Sequence, residues 1–326
     1  MNILYIGTPK TYTLYKDGKN PSHWLYGAVE MEQDGHTVYW ENESKSLFND
    51  LKLLKSKKPN MLFIPNLNIK CHLLLLLLKS LGIIRIPLYA YIHHSPQTGN
   101  RLKGLFHKFL LKGINHSFFL SEKSMREAIE GGFIKKDKCS VPGWGADMNF
   151  FSRHATTENS GYFVSTGKEN RDFKRLIEAF SATDEKLRII TCGSHAGRDY
   201  SDLNDISKQF PNIEVVITEN SGEVYPTMLK EMSQAKALVC PLIKENLTYC
   251  VGLSTIADAE GLGKPLIITE NPYHEKDRTR KFNVVKSTDD WIKAIKNLKT
   301  VNGENTYSMS NCYENMKCIM FNQNLN

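Results

Sequence analysis

Asp258 lies in a stretch of mostly small and apolar residues, GLSTIADAEGLGKPLIIT, which runs from Gly252 to Thr269. Gly252 loosens the backbone ahead of Ser254, a favoured helix N-cap, so a short helix is expected from Ser254 to about Leu262. Gly263 fits the left-handed position that ends many helices, and Pro265 to Thr269 reads as a strand. Ser254 and Asp258, four apart, share a helix face. The N-terminus of a helix that follows a glycine favours negative charge, through its free N–H groups and its dipole. An anion bound there would lie beside Leu253 and the hydroxyls of Ser254 and Thr255. Asp258, one turn further in, would accept hydrogen bonds from neutral hydroxyls beyond it, such as those of a ribose. A solvated Asp on an ordinary helix is the competing reading.

Other residues could share such chemistry. His93 and His94 end an apolar strand in AYIHHSP, where a histidine is either structural or aimed into a site. Lys168 and Arg171 follow a strand in STGKENRDFK, as solvated loop charges or as anion ligands. No His/Cys spacing suits a metal, and Asp289-Asp290 read as charges at a helix start. The seven cysteines are scattered and odd in number, as expected of reduced thiols in a cytoplasmic protein.

Strand–helix alternation must position these groups. In the first half, NILYIG, HTVYWE, PNMLFIPN, IPLYAYIHH and HSFFLS read as strands. SHWLYGAVEMEQDG, SLFNDLKLLKSKK, KCHLLLLLLKSLG, LKGLFHKFLLKGI and SEKSMREAIEGG read as helices. The pattern restarts at GYFVSTG and continues through LRIITCG, NIEVVIT, KALVCPL and KPLIIT, with helices such as YSDLNDISKQF and YPTMLKEMSQA between. The expected class is α/β, two doubly wound Rossmann-like domains facing a cleft. The polar segment HATTENS marks the boundary. This gives 1–153 and 154–306, with 307–326 as a segment crossing back to the first domain.

The 326 residues are 41% hydrophobic and 24% charged, a globular composition without a signal peptide or a spanning segment. Residues 1–150 hold 20 Lys+Arg against 12 Asp+Glu, and no acid occurs between Asp50 and Glu122. Such asymmetry points to an anionic partner. In RLKGLFHKFLLKGI, apolar residues at helical spacing are ringed by Arg101, Lys103, Lys108 and Lys112. The segment 101–113 is either a helix packed on its own sheet or a basic amphipathic surface for anionic lipid. No nucleic-acid module is recognisable, and the first strand–helix turn lacks a dinucleotide fingerprint.

With these residues in view, GLSTIADAEGLGKPLIIT resembles the donor-binding segment of the retaining family 4 glycosyltransferases, which have the GT-B fold. Asp258, Ala259 and Gly263-Lys264-Pro265 stand at that family's Glu-Ala and Gly-x-Pro positions. STGKENRDFKRLIEAF resembles its Gly-Arg strand–helix segment, with Lys168 after Gly167 and Arg171 as the second cation. VPGWGADMNFF is similar to its interdomain Gly-Val-Asp-x-x-x-Phe through Gly145, Asp147 and Phe151, and His93 matches its strand-end histidine.

The resemblance implies a hexosyltransferase that takes a UDP- or GDP-sugar, needs no metal or other cofactor and retains configuration. Asp258 would hold the ribose. Gly167, Lys168, Arg171 and the turn Gly252-Leu253-Ser254-Thr255 would hold the diphosphate. His93 would face the sugar. The acceptor would be a glycan or a polyprenyl-diphosphate-linked oligosaccharide for surface polysaccharide, read by loops such as TPKTYTLYKDGKNPSHW. The place would be the cytoplasm, or the inner face of the plasma membrane through 101–113. There are departures. Cys250 stands where the family has another acid, Glu245 could replace it only through an insertion, Asp258 shortens the Glu, and Lys168 replaces Arg. They keep open an impaired nucleotide-binding regulatory protein. A sugar-nucleotide epimerase or a phosphorylase on the same architecture is also open.

Overall fold

The structure is a computed structural model that describes residues 1–42, 52, 54–96, 99–300 and 306–321. By its internal packing the chain divides into two compact units. One is Met1–Gly18 with Ser22–Gly145 and Ser308–Asn326, and the other is Lys19–Pro21 with Ala146–Tyr307.

In the first unit, strands β1 (Asn2–Gly7), β2 (Thr37–Asn42), β3 (Met61–Ile64), β4 (Leu88–Ile92), β5 (His116–Phe119) and β6 (Cys139–Ser140) form one sheet in the order β2-β1-β3-β4-β5-β6. Every neighbouring pair is parallel. β3 and β4 are buried along their whole length, as expected of strands covered on both faces. Helices α1 (Pro9–Lys16), α2 (Ala28–Gln33), α3 (Leu73–Ser80), α4 (Arg101–Leu111) and α5 (Glu122–Glu130) intervene. The core joins Leu62, Ile64, Leu88 and Ala90 of the strands to Leu75, Leu76, Leu110 and Leu111 of α3 and α4. The strand order reverses between β1 and β3.

Two segments differ from expectation here. The loop expected around residues 8–24 contains α1, begun by Pro9 at its first turn. The helix expected over 22–35 is a 3-10 turn, Ser22–Leu25, then α2, because Tyr26 (φ 50°) and Gly27 (φ 91°) both take left-handed backbone. Most of the helix expected over 46–58 lies outside the described residues.

In the second unit, helix α6 (Met148–Ser152) precedes strands β7 (Tyr162–Thr166), β8 (Lys186–Cys192), β9 (Ile213–Thr218), β10 (Ala237–Cys240), β11 (Leu266–Thr269) and β12 (Asn283–Val285). They pair in parallel in the order β9-β8-β7-β10-β11-β12. Helices α7 (Phe173–Ser181), α8 (Leu203–Ser207), α9 (Tyr225–Gln234), α10 (Leu253–Leu262), α11 (Lys276–Thr279) and α12 (Thr288–Lys296) connect them. This is the doubly wound order whose reversal, between β7 and β10, opens a crevice at the carboxyl ends of the strands. Its core is Phe163, Phe173, Leu176, Phe180, Leu187, Ile189 and Trp291. Residues 146–153 belong to this unit, ahead of the polar segment taken as a boundary. Fully buried Phe151 on α6 lies where a Cβ on Gly261 of α10 would meet it at 2.1 Å. A glycine in the last turn of α10 thus gives the ring its seat. Asp289 and Asp290 stand in the first turn of α12, where Asp290 completes a capping box with Ser287.

Helix α13 (Met309–Phe321) returns to the first unit. The Tyr91 hydroxyl on β4 contacts Cys312 Sγ at 3.3 Å and Met316 Sδ at 3.2 Å, and Tyr313 donates to Asp34 at 2.8 Å. Among the described residues, no helix is long and apolar enough to cross a membrane.

Candidate nucleotide-binding site in the second unit

The strand-order reversal places two loops side by side, 167–172 after β7 and 241–252 after β10. They are stitched together. Arg171 bridges Leu242, Ile243 N donates to the Asn170 carbonyl at 3.1 Å, Asn170 Nδ2 donates to the Ile243 carbonyl at 3.0 Å, and Asp172 N donates to the Pro241 carbonyl at 3.1 Å. The first loop is also braced by Tyr200, whose hydroxyl donates to the Lys168 carbonyl at 3.0 Å.

Arg171 is only 4% exposed. Its Nη1 donates to the Glu169 carbonyl at 2.8 Å and its Nη2 to Thr255 Oγ1 at 3.1 Å, while buried Nε has no hydrogen-bond partner among the described residues. Among the described residues no carboxylate forms an ion pair with it. A cation taken from water without a counter-charge is costly, and an unfilled donor adds to that cost. Such a group fits an anion that the folded chain does not itself supply.

Thr255 is in the first turn of α10. The helix starts at Leu253, one residue before the expected start, and its N-cap is Gly252 rather than Ser254. Gly252 takes φ +90°, and a Cβ there would come within 3.2 Å of Cys240 Sγ and 3.3 Å of Leu242. The preceding loop is held by Asn271, whose Nδ2 donates to the carbonyls of Tyr249 and Val251, and by His274, whose Nε2 lies 2.9 Å from the Val251 carbonyl. These tertiary ties, not the capping preference of serine, set where the helix begins. The first turn therefore has no side-chain cap, and Ser254 is the one exposed residue of α10. Gly263 closes the helix in the left-handed region, as its type and place predict.

Asp258 is 6% exposed, and its Oδ1 accepts from the Tyr225 hydroxyl at 2.8 Å. Burial raises its pKa to about 7, against the opposing pull of the Tyr225 hydroxyl and the Arg171 charge. It is therefore not the solvated carboxylate of an ordinary surface helix. Lys168 is half-exposed at the loop's outer end and donates to Asn220 Oδ1. Asn220 also lines an open depression of about 870 Å³ with Cys192, His195, Arg198 and Thr218, beyond β8 and β9. Glu169 turns to His195, Oε2 to Nε2 at 2.5 Å.

Cys250 is buried, and burial pushes its thiol up to about 12. It is a neutral thiol and supplies no negative charge in place of the acid it replaces. Glu245 is exposed at the surface. The sequence reading gives no role to Glu260, yet it is buried, bound by Arg278 through Nε and Nη2 and by Lys281 at 3.0 Å. Tyr225, Tyr200, Asn170 and Arg198 also escaped sequence reasoning. Their partners lie 28 to 33 residues away, beyond any local pattern.

His93 belongs to the first unit, just past β4. Its Nε2 lies 3.0 Å from the Pro65 carbonyl, and its ring centroid is 5.3 Å from that of Tyr26. Burial lowers its pKa to about 4, so it is a neutral imidazole at physiological pH. His94 is exposed. Among the described residues, no group of three His, Cys, Asp or Glu is arranged to hold a metal.

Solved structures share the fold. A glycosyltransferase from Rickettsia africae ESF-5 matches with a TM-score of 0.72 at 12% identity, covering 100% of this chain and 99% of that one. A UDP-GlcNAc 2-epimerase from Neisseria meningitidis, bound to UDP-GlcNAc, matches with a TM-score of 0.60 at 13% identity over 99% and 100% of the two chains. AviGT4, a glycosyltransferase of avilamycin A biosynthesis, matches with a TM-score of 0.56 at 9% identity over 97% and 92%. The class is thus an α/β protein of the GT-B fold, built from two parallel six-stranded sheets. No family model and no curated protein matches the sequence.

Proposed function

We propose that the protein is a retaining glycosyltransferase that moves a sugar from a UDP- or GDP-sugar to a glycan or lipid-linked oligosaccharide acceptor in surface polysaccharide synthesis. The observation that carries this is buried Arg171, a cation that has no carboxylate partner among the described residues and is hydrogen-bonded to the uncapped first turn of α10. A cation and free helix N–H groups at the carboxyl end of a Rossmann sheet favour a diphosphate. In this reading Arg171, Lys168, Gly167 and the turn from Gly252 to Thr255 hold the diphosphate. They stabilise it as it gains charge while leaving. Asp258, already accepting from Tyr225, accepts from the ribose hydroxyls.

The sugar-facing role of His93 rests on the resemblance alone, and in that role it would act as a neutral group rather than a base. The departing phosphate takes the acceptor proton. The first unit would read the acceptor and the second the donor, in the cytoplasm and without a required metal.

A second reading, a nucleotide binder with impaired chemistry, is favoured by Cys250, a buried neutral thiol where the family has an acid. An epimerase of similar fold is the third. Thermal unfolding with UDP, GDP, ADP and CDP in parallel, on wild type and Asp258→Ala, is the first test. At a hundred times its dissociation constant a ligand adds about 2.7 kcal/mol. A shift with one nucleotide, reduced in the variant, supports the site, and no shift with any of them refutes it. Donor hydrolysis or transfer then separates the transferase from the binder, and conversion of the donor without an acceptor identifies the epimerase.

A further inference from the structure

The structure settles which way the apolar stripe of α4 points. Leu102, Leu105, Phe106 and Phe109 follow i, i+3, i+4, i+7 spacing, yet they are 78%, 56%, 44% and 38% exposed. Buried Gly104, Leu110 and Leu111 make the core side of the helix instead. α3 lies alongside. The Ser80 hydroxyl donates to the Leu110 carbonyl at 2.9 Å, and a Cβ on Gly113 would strike Ser80 at 2.8 Å. The start of α3 adds exposed Leu73 and Leu74, and the turn after it adds Leu81 and Ile83, the latter 64% exposed. Of the twelve large hydrophobics exposed among the described residues, eight fall between 73 and 109. Lys70, Arg85, Arg101, Lys103 and Lys112 are exposed in the same region, and none forms an ion pair among the described residues. The sequence holds no acid between Asp50 and Glu122.

From this we infer that α3, the turn at 81–83 and α4 form a docking surface for an anionic lipid bilayer. A folded monomer rarely leaves so many large apolar groups exposed together. An apolar helix stripe flanked by lysine and arginine is the arrangement of helices that lie in a membrane interface, and the unopposed cations select anionic headgroups. The surface stands apart from the nucleotide reading, since none of its residues belongs to that site.

Co-sedimentation of the full chain with phosphatidylglycerol/phosphatidylcholine vesicles, against phosphatidylcholine alone, tests it. Partitioning at least about tenfold higher onto the anionic vesicles is expected, weakened by salt. Leu102→Glu with Phe106→Glu should abolish it, while Arg101→Ser with Lys103→Ser should reduce it and make what remains less sensitive to salt. Both pairs are exposed, so melting temperature and nucleotide-induced stabilisation should stay as in wild type. Failure to bind anionic vesicles overturns the inference whether or not nucleotides bind. So does equal binding to both vesicle types. A glutamate variant that converts a dimer into a monomer by light scattering while still binding vesicles also overturns it, because the stripe would then be a self-association face.

Discussion

The Tyr225 hydroxyl donates to Oδ1 of Asp258 at 2.8 Å, so the carboxyl one turn into α10 has a fixed partner before any ligand arrives. Burial raises the Asp258 pKa from 3.8 to about 7, so between those values the folded state holds a proton that the unfolded state has lost. Stability from this group is complete below pH 3.8 and is lost as pH rises toward 7. The span corresponds to about 4 kcal/mol at most. Asp258→Asn should flatten that fall and exceed wild type in chemical denaturation at pH 8. It should also weaken nucleotide binding, since ionised Asp258 accepts ribose hydroxyls. Wild-type affinity should therefore improve as pH rises through 7 by more than the variant's does, as titration calorimetry would record. Parallel pH profiles for the two proteins would remove Asp258 from the site.

Arg171 separates a binding role from a structural one. A buried guanidinium that serves a structural carboxylate destabilises by about 3–5 kcal/mol when its partner is left alone. Among the described residues no such carboxylate pairs with Arg171, so Arg171→Met should leave the ligand-free protein at least as stable as wild type. Nucleoside diphosphate affinity should fall on the order of a hundredfold, consistent with loss of a buried charge-assisted contact. A large loss of stability without ligand would show that the residue belongs to the framework.

Glu260 gives the opposite case. Its carboxylate is enclosed by Arg278 and Lys281, with the side chains of Glu260 and Arg278 at 0% and 3% exposure. Glu260→Ala removes the buried carboxylate that Arg278 and Lys281 both bind and should cost about 3–5 kcal/mol. Urea denaturation measures this directly, and a loss below about 1 kcal/mol would mean that water reaches the cations.

Gly167 tests the loop itself. It takes φ +96°, and a Cβ there would lie 2.9 Å from Arg171 Nη2. Gly167→Ala should cost about 1–3 kcal/mol through backbone strain. By displacing the guanidinium, it should weaken nucleotide binding beyond that loss of stability. Unchanged affinity would mean that Arg171 tolerates the shift.

Much of this architecture was legible because βα alternation is a local signal, as in GYFVSTG followed by DFKRLIEAF. The stop of α10 at Gly263 was legible for the same reason. Its start was not. Ser254 has the better capping side chain, but Asn271 and His274, about twenty residues on, pin the loop so that Gly252 takes the cap. Periodicity marked the apolar stripe of α4 but not the direction in which it faces. That depends on Leu110 and Leu111 winning the core. The Tyr225–Asp258 bond and the Glu260 ion group rest on side chains brought together only by the folded sheet. No spacing rule reaches them.

Helix α13 also bears on the order in which the chain can fold. Tyr91 on β4 finishes its contacts on Cys312 and Met316, and the Tyr89 hydroxyl donates to the Met320 carbonyl. These partners are translated only after the whole of the second unit, Ala146–Tyr307. At about 5–20 residues per second, the ribosome needs on the order of ten seconds or more for that stretch. During that interval the first sheet exists without one of its covering layers, so the earlier-made half of the protein is the later to mature.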